Sequence, residues 1–258
     1  MTAVIESLAG LLSIAEGLAW AAALVFLRVG AMVALMPGFG EQTVPQRIKL
    51  GLVLAFTLVI APIVADRPAL PPPALIVLAG EAVAGLILGI GMRLFLLALQ
   101  TAAVIIAQAT TLSQLFAGAA PEPQPAIGNL FLVAGIALAL AAGLHVQAVN
   151  LVLLSYDLLP AGAYPDPAAA ADWNLGLASR TFSLAFSLAA PFVIASMIYN
   201  LALGVINRAM PQLMVSMVGA PALTLGALAL LAVATPILMA VWQQAFEAYL
   251  ADPFGPPP

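Results

Sequence analysis

The chain has 258 residues, of which 64% are apolar and 7% charged, with 7 Lys and Arg against 11 Asp and Glu. A soluble domain carries about 25% charged residues, so this composition excludes a soluble enzyme, a disordered chain and a nucleic-acid-binding protein, and the medium is lipid or a large assembly that replaces it. No cysteine is present and the net charge is only -4, which removes disulfide, zinc–thiolate and thiol chemistry and implies no polyanionic partner.

From the N-terminus onward, the first charge is Glu6 and no basic residue precedes Arg28, a pattern unlike a cleaved secretory signal. Long charge-free apolar runs without two-residue alternation predict helices rather than barrel strands. About 20 such residues cross a bilayer. The spans expected are Leu18–Met36, Ile48–Val64, Leu75–Gly91, Leu94–Ile106, Asn129–Leu154, Leu177–Ile206 and Leu213–Phe246. Pro191, Pro221 and Pro236 fall inside the last two and predict bent or half-helices. Between the spans lie the Pro37-Gly38-Phe39-Gly40 turn, a stiff loop with Pro68 and Pro71–Pro73, a loop with Pro121, Pro123 and Pro125, and an acidic loop over 160–172. The fold class is therefore all-α: a polytopic membrane protein with kinked and re-entrant helices. One membrane-embedded domain is expected over residues 1–251, followed by a Pro-rich, disordered tail over 252–258. Arg47 and Lys49 are the only close basic pair, which favours their loop as cytoplasmic and leaves Arg93 on the same side.

Several side chains do not suit lipid. Arg28 sits mid-span, where a lone cation costs about 2.5–3.5 kcal/mol on insertion scales. Snorkelling or an intrabundle ion pair accounts for it as well as a partner contact or an aqueous path does. Glu81 has the same status, and the two could pair. The stretch Gln108, Ala109, Thr110, Thr111, Leu112, Ser113, Gln114, Leu115, Phe116 carries no charge but five hydroxyl or amide side chains, and runs through Gly118 to Pro121. Such density suits an interfacial loop, or a re-entrant or pore-lining element inside protein. Gly80 with Ala84, and Gly85 with Gly89, have the four-residue spacing that lets helices approach closely. His145 is the sole histidine. It makes no metal site, since zinc needs three or four ligands. With Ser155 it lacks any marked oxyanion hole, so no catalysis and no cofactor are expected.

Three blocks resemble the FliR/SctT family of export-gate subunits of flagellar and virulence type III secretion systems. The first is Arg28-Val29 to Pro37, then Val44-Pro45-Gln46-Arg47-Ile48-Lys49-Leu50-Gly51 and Ala61-Pro62. The second is Gly143-Leu144-His145 with Ser155 and Leu159-Pro160-Ala161-Gly162. The third and most specific is Asn200-Leu201-Ala202-Leu203-Gly204, Asn207-Arg208-Ala209-Met210-Pro211-Gln212-Leu213 and Val218-Gly219-Ala220-Pro221. Their order and spacing extend the resemblance over essentially the whole chain. The chain departs from the family pattern at Met214, Ala220 and Leu144, and in a Gly-poor 108–121 segment.

The resemblance implies a subunit present once per complex, closing a helical ring of FliP-like and FliQ-like subunits in the bacterial inner membrane. FlhB and FlhA would lie nearby, and unfolded exported proteins would be the cargo, closer in kind to the flagellar branch. It also implies that Gln108–Pro121 plugs the pore. Arg208 and Gln212 are implied as structural or partner-facing positions, and Asn207 falls in the same block. The residues alone also allow a secondary transporter with broken helices and a midplane site near Arg28 and Glu81.

Overall fold

A computed structural model describes residues 2–67, 70–110, 126–209 and 215–255. Every regular element among them is an α-helix: α1 (Thr2–Leu35), α2 (Gln46–Ala65), α3 (Leu75–Thr110), α4 (Ala126–Ala141), α5 (Leu144–Leu158), α6 (Pro167–Ala209) and α7 (Val215–Ala251). Among the described residues five helices are long and apolar enough to cross a membrane: Ser7–Leu35, Gln46–Ala65, Leu75–Ala109, Pro167–Ile206 and Leu225–Ala251. The chain is thus an all-helical, polytopic membrane protein.

The span boundaries differ from expectation in three places. Leu75–Gly91 and Leu94–Ile106 are one continuous helix, α3. The charge at Arg93 does not end it, because Arg93 has an ion-pair partner in Glu41 of the α1–α2 loop. That contact also sets Arg93 at the same end as the Arg47–Lys49 loop start. The expected span Asn129–Leu154 is instead two helices, α4 and α5, separated at Gly143, whose φ of +80° is left-handed and cannot continue an α-helix. Pro191, Pro221 and Pro236, expected to bend their helices or split them into half-helices, lie within α6 and α7, which continue through them.

The residues fall into two compact units. One comprises Met1–Arg93, Leu140–Gly176 and Leu250–Pro258, the other Leu94–Ala139 and Leu177–Tyr249. In the first, α1 packs along α2, and α2 also touches α5. The buried positions Ala21, Leu24, Val25, Arg28, Val29 and Met32 recur every three or four residues. They form one stripe of α1, as an amphipathic helix requires. Opposite them on α2 are Val53, Phe56, Thr57, Ile60 and Val64. At the start of the Pro-rich segment, Pro253 and Phe254 contact α6. Pro253 is buried, its carbonyl accepts a 2.9 Å hydrogen bond from Trp173 Nε1, and Phe254 lies 5.8 Å from the Trp173 ring.

The second unit is organised on aromatics. Trp242 is fully buried and its Nε1–H donates to the Phe95 carbonyl at 2.8 Å. Its ring stacks on Phe246 at 5.3 Å, and Phe95 lies 5.4 Å from Phe246 and 5.1 Å from Tyr249. Such offset and tilted pairs add to the apolar burial that holds a core.

Candidate functional site

Arg28 and Glu81 meet. Both side chains are completely buried, and they form a bidentate pair, Nε to Oε2 at 2.7 Å and Nη2 to Oε1 at 3.2 Å. Arg28 Nη1 also donates to Ser155 Oγ at 3.0 Å and to the Leu159 carbonyl at 3.2 Å, while Nη2 donates to that same carbonyl at 3.1 Å. A guanidinium has five N–H donors, and each has an acceptor here. Glu81 is equally filled. Oε2 accepts from Tyr156 Oη at 2.9 Å as well as from Arg28, and Oε1 accepts from the Gly162 backbone N–H at 2.8 Å. The guanidinium carbon sits 3.6 Å from the Tyr156 ring centroid, a cation–π contact.

Backbone geometry delivers these groups. Gly85 lies one turn beyond Glu81 on the same face of α3, and a Cβ there would stand 2.0 Å from the Arg28 carbonyl oxygen. Gly89, a turn further, faces Met32 and Leu35, where a Cβ would come within 2.9 Å. These glycines let α3 lie against the α1 backbone, close enough for Glu81 to reach Arg28. The Leu159-Pro160-Ala161-Gly162 turn then clamps the pair from both signs, its Leu159 carbonyl on the cation and its Gly162 N–H on the anion. Gly162 has φ +77°, and a Cβ on it would meet Pro71 Cγ at 2.7 Å. Only glycine suits that position.

An outer layer surrounds the pair. Arg67 bridges to Asp157 at 2.8 Å, donates to the Leu153 carbonyl at 3.4 Å, and stands 5.9 Å from the Tyr156 ring. Beside Ser155 a cavity of about 380 Å³ is lined by apolar groups from α3, α5 and α6, with Ser155 and Asp166 its polar side chains. Ser155 Oγ donates to the Val152 carbonyl at 2.6 Å, and Asp166 Oδ2 accepts from the Ala169 N–H at 2.9 Å. The one oxygen is committed to Arg28 and its own helix, the other to starting α6.

The remaining singled-out residues do not join this network. His145 is exposed on α5 and Gln108 is exposed near the end of α3. Arg208 is exposed in the last turn of α6. The side chains of Thr110 and Asn207 lie outside the described residues, as do Thr111, Leu112, Ser113, Gln114, Leu115, Phe116, Gly118, Pro121 and Gln212. Among the described residues no group of three His, Asp or Glu could hold a metal. Sequence reasoning missed Tyr156 and the Arg67–Asp157 pair. It had Gly162 only as a motif letter, and Ser155 as a motif letter and a rejected catalytic partner of His145, with no sign that they serve Arg28 and Glu81.

A family profile described as bacterial export proteins, family 1, matches residues 19–249. The flagellar biosynthetic protein FliR of Caulobacter vibrioides is 34% identical over 237 residues, which cover 90% of this chain and 94% of that protein. FliR of Escherichia coli K12 is 30% identical over 226 residues, 86% of each chain. FliR of Bacillus subtilis 168 is 26% identical over 206 residues, 77% of this chain and 79% of that one. With residues 19–249 matched by the family profile and a relative 34% identical over 90% of its length, the chain belongs to the bacterial export proteins, family 1.

Proposed function

We propose that the chain is a FliR-type subunit of the flagellar protein export gate. In this role it assembles with FliP-like and FliQ-like subunits, one copy of this chain per complex, into the inner-membrane channel for unfolded flagellar proteins. FlhB and FlhA are neighbours, and the Gln108–Pro121 segment closes the pore. The observation that carries the proposal is the match from residue 19 to 249 to an export family, in a chain whose buried charges satisfy one another.

The second point weighs against a transporter. A midplane solute site needs free polar valences, whereas Arg28 and Glu81 spend theirs on Ser155, Tyr156, Leu159 and Gly162. A Ser155 nucleophile is also disfavoured, because its hydroxyl proton is given to the Val152 carbonyl and, among the described residues, no base side chain hydrogen-bonds to it. The function is mechanical: a subunit that must hold its shape in a ring while its pore-side segment moves.

Co-expression of the tagged chain with its FliP-like and FliQ-like subunits, followed by native mass measurement in detergent, tests the proposal. The expected result is one copy of this chain in a larger complex. A stable chain that recruits neither subunit overturns it. For the plug, deletion of residues 108–118 in the assembled complex is expected to make the membrane leak ions, since a closed gate excludes them by filling the lumen with apolar side chains. An intact ion barrier after the deletion removes the plug assignment.

A further inference from the structure

The cavity beside Ser155 runs from the surface inward. Of the residues that line it, Ala84, Leu88 and Ser155 are buried, whereas Leu158, Asp166 and Ala169 are exposed. Short side chains at Ala84, Ala169 and Ala170 leave its volume of about 380 Å³ open. Trp173 and Phe254 also line it, and the 2.9 Å hydrogen bond from Trp173 Nε1 to the Pro253 carbonyl fixes the indole in place.

Interior and mouth differ in chemistry. Small-molecule sites span about 300–1,000 Å³, and apolar walls take hydrocarbon rather than water. Ser155 does not alter this, because its hydroxyl accepts from Arg28 and donates to the Val152 carbonyl. Asp166 at the mouth is different. Its Oδ2 accepts the Ala169 N–H that starts α6. Among the described residues its Oδ1 has no hydrogen bond and the carboxylate has no cation, whereas Glu41, Glu81 and Asp157 each hold an arginine. Asp166 also directly precedes Pro167–Ile206, a stretch long and apolar enough to cross a membrane. A molecule that matches both parts is an amphiphile, with hydrocarbon for the walls and an N–H-bearing cation for Asp166. Hydrogen bonds between ionised partners are about twice as strong as neutral ones. For a chain with five helices of membrane-crossing length, the amphiphile at hand is phospholipid.

We infer that this cavity is a lipid site: it takes one acyl chain of a phospholipid whose head ends in a primary ammonium, and that ammonium bonds Asp166. Its volume is at the small end of the range for ligand sites and suits one chain rather than a whole two-chain lipid. Charge complementarity selects the head. A primary ammonium brings both a positive charge and N–H donors, a trimethylammonium brings the charge alone, and a glycerol head brings donors without the charge. The bound chain would brace α3, α5 and α6 beside the Arg28–Glu81 pair, since all three helices line the cavity. The site is independent of the export-gate proposal.

Trp173 supplies the readout, because bromine on an acyl chain quenches an indole it touches. The full chain is placed in phosphatidylcholine vesicles holding a minority of acyl-brominated lipid, either phosphatidylethanolamine or phosphatidylcholine. The Trp173 signal is the difference between the wild type and Trp173→Phe. Brominated phosphatidylethanolamine is expected to half-quench that signal at about tenfold lower content than brominated phosphatidylcholine, as a hydrogen bond to a charged group implies. Asp166→Asn keeps a good cap on α6 but removes the charge, and is expected to erase the difference between the two heads. Ala169→Phe, at an exposed lining position, is expected to fill the mouth and weaken quenching by both lipids. Equal quenching of the wild type by the two lipids overturns the inference, and this comparison needs no variant. So does a preference for the ammonium head that survives Asp166→Asn, or quenching unchanged in Ala169→Phe. Loss of the quenching once FliP-like and FliQ-like subunits are assembled on the chain would give the cavity to a protein neighbour, and it too overturns the lipid site.

Discussion

Arg28→Ala with Glu81 left in place is expected to destabilise the fold by about 3–5 kcal/mol, and Glu81→Ala by a similar amount. The magnitude comes from what each change strands. Glu81 is fully buried, and without Arg28 its carboxylate keeps only Tyr156 and the Gly162 N–H. The reverse change leaves a cation facing Ser155 and the Leu159 carbonyl. The double replacement Arg28→Met with Glu81→Leu removes both charges at similar volume and is expected to be milder than either single change, because desolvation of a buried pair largely offsets its attraction. Thermal unfolding of the detergent-purified chain orders the three variants. Single variants as stable as the wild type would show that the pair holds nothing together. A double variant worse than both singles would show that the attraction outweighs the desolvation.

Gly85→Leu is expected to be at least as damaging, by a steric route. Its Cβ would stand 2.0 Å from the Arg28 carbonyl oxygen and 2.9 Å from Ala31 Cβ. A backbone carbonyl inside a helix cannot rotate aside, so α1 and α3 must separate, and separation pulls Glu81 from Arg28. Overpacking alone costs about 1–3 kcal/mol. Adding the loss of the buried pair, about 3–5 kcal/mol, raises the expectation to about 4–8 kcal/mol. Gly10 and Gly17 on α1 face open space, and alanine there is expected to be neutral or to stabilise by about 0.5–1 kcal/mol through helix propensity. Unfolding midpoints of the three variants separate the two cases. A Gly85→Leu chain that melts with the Gly10→Ala chain would show that α1 and α3 do not touch at that level.

Much of the architecture was legible because hydrophobicity is local information. The charge-free runs located the membrane helices, and the oddity of Arg28 and Glu81 was plain from their apolar neighbours. Boundaries failed where tertiary contacts overrode local signals. Arg93 reads as a helix end until Glu41 is placed beside it. Gly143 reads as one more small residue in Ala141-Ala142-Gly143-Leu144 until its φ is known. Proline reads as a breaker, yet α6 runs through Pro191, since the bundle tolerates one missing N–H in a helix of 43 residues. The site itself was legible only as parts. Its bonds join residues 53 and 131 positions apart, and no periodicity encodes pairings at that distance. The four-residue spacing of Gly85 and Gly89 was visible, but its meaning depended on which helix lay opposite.

The long sequence separations within the Arg28 network have a consequence for biogenesis. Ribosomes release the chain from its N-terminus, so α1 reaches the membrane before anything that neutralises its cation exists. Glu81 follows 53 residues later and the Leu159 carbonyl 131 residues later. At about 5–20 residues per second, that last interval is roughly 7–26 s. Until Glu81 follows, the first helix carries a charge that its own chain cannot neutralise, and until Leu159 follows the guanidinium lacks part of its acceptors, so snorkelling or an insertion factor must hold it at the interface. The compact unit around Arg28 closes later still, because Pro253 and Phe254, which pin Trp173, are made after Leu159. A truncated product therefore displays an unpaired intramembrane arginine, a feature by which membrane quality control can tell it from the finished chain.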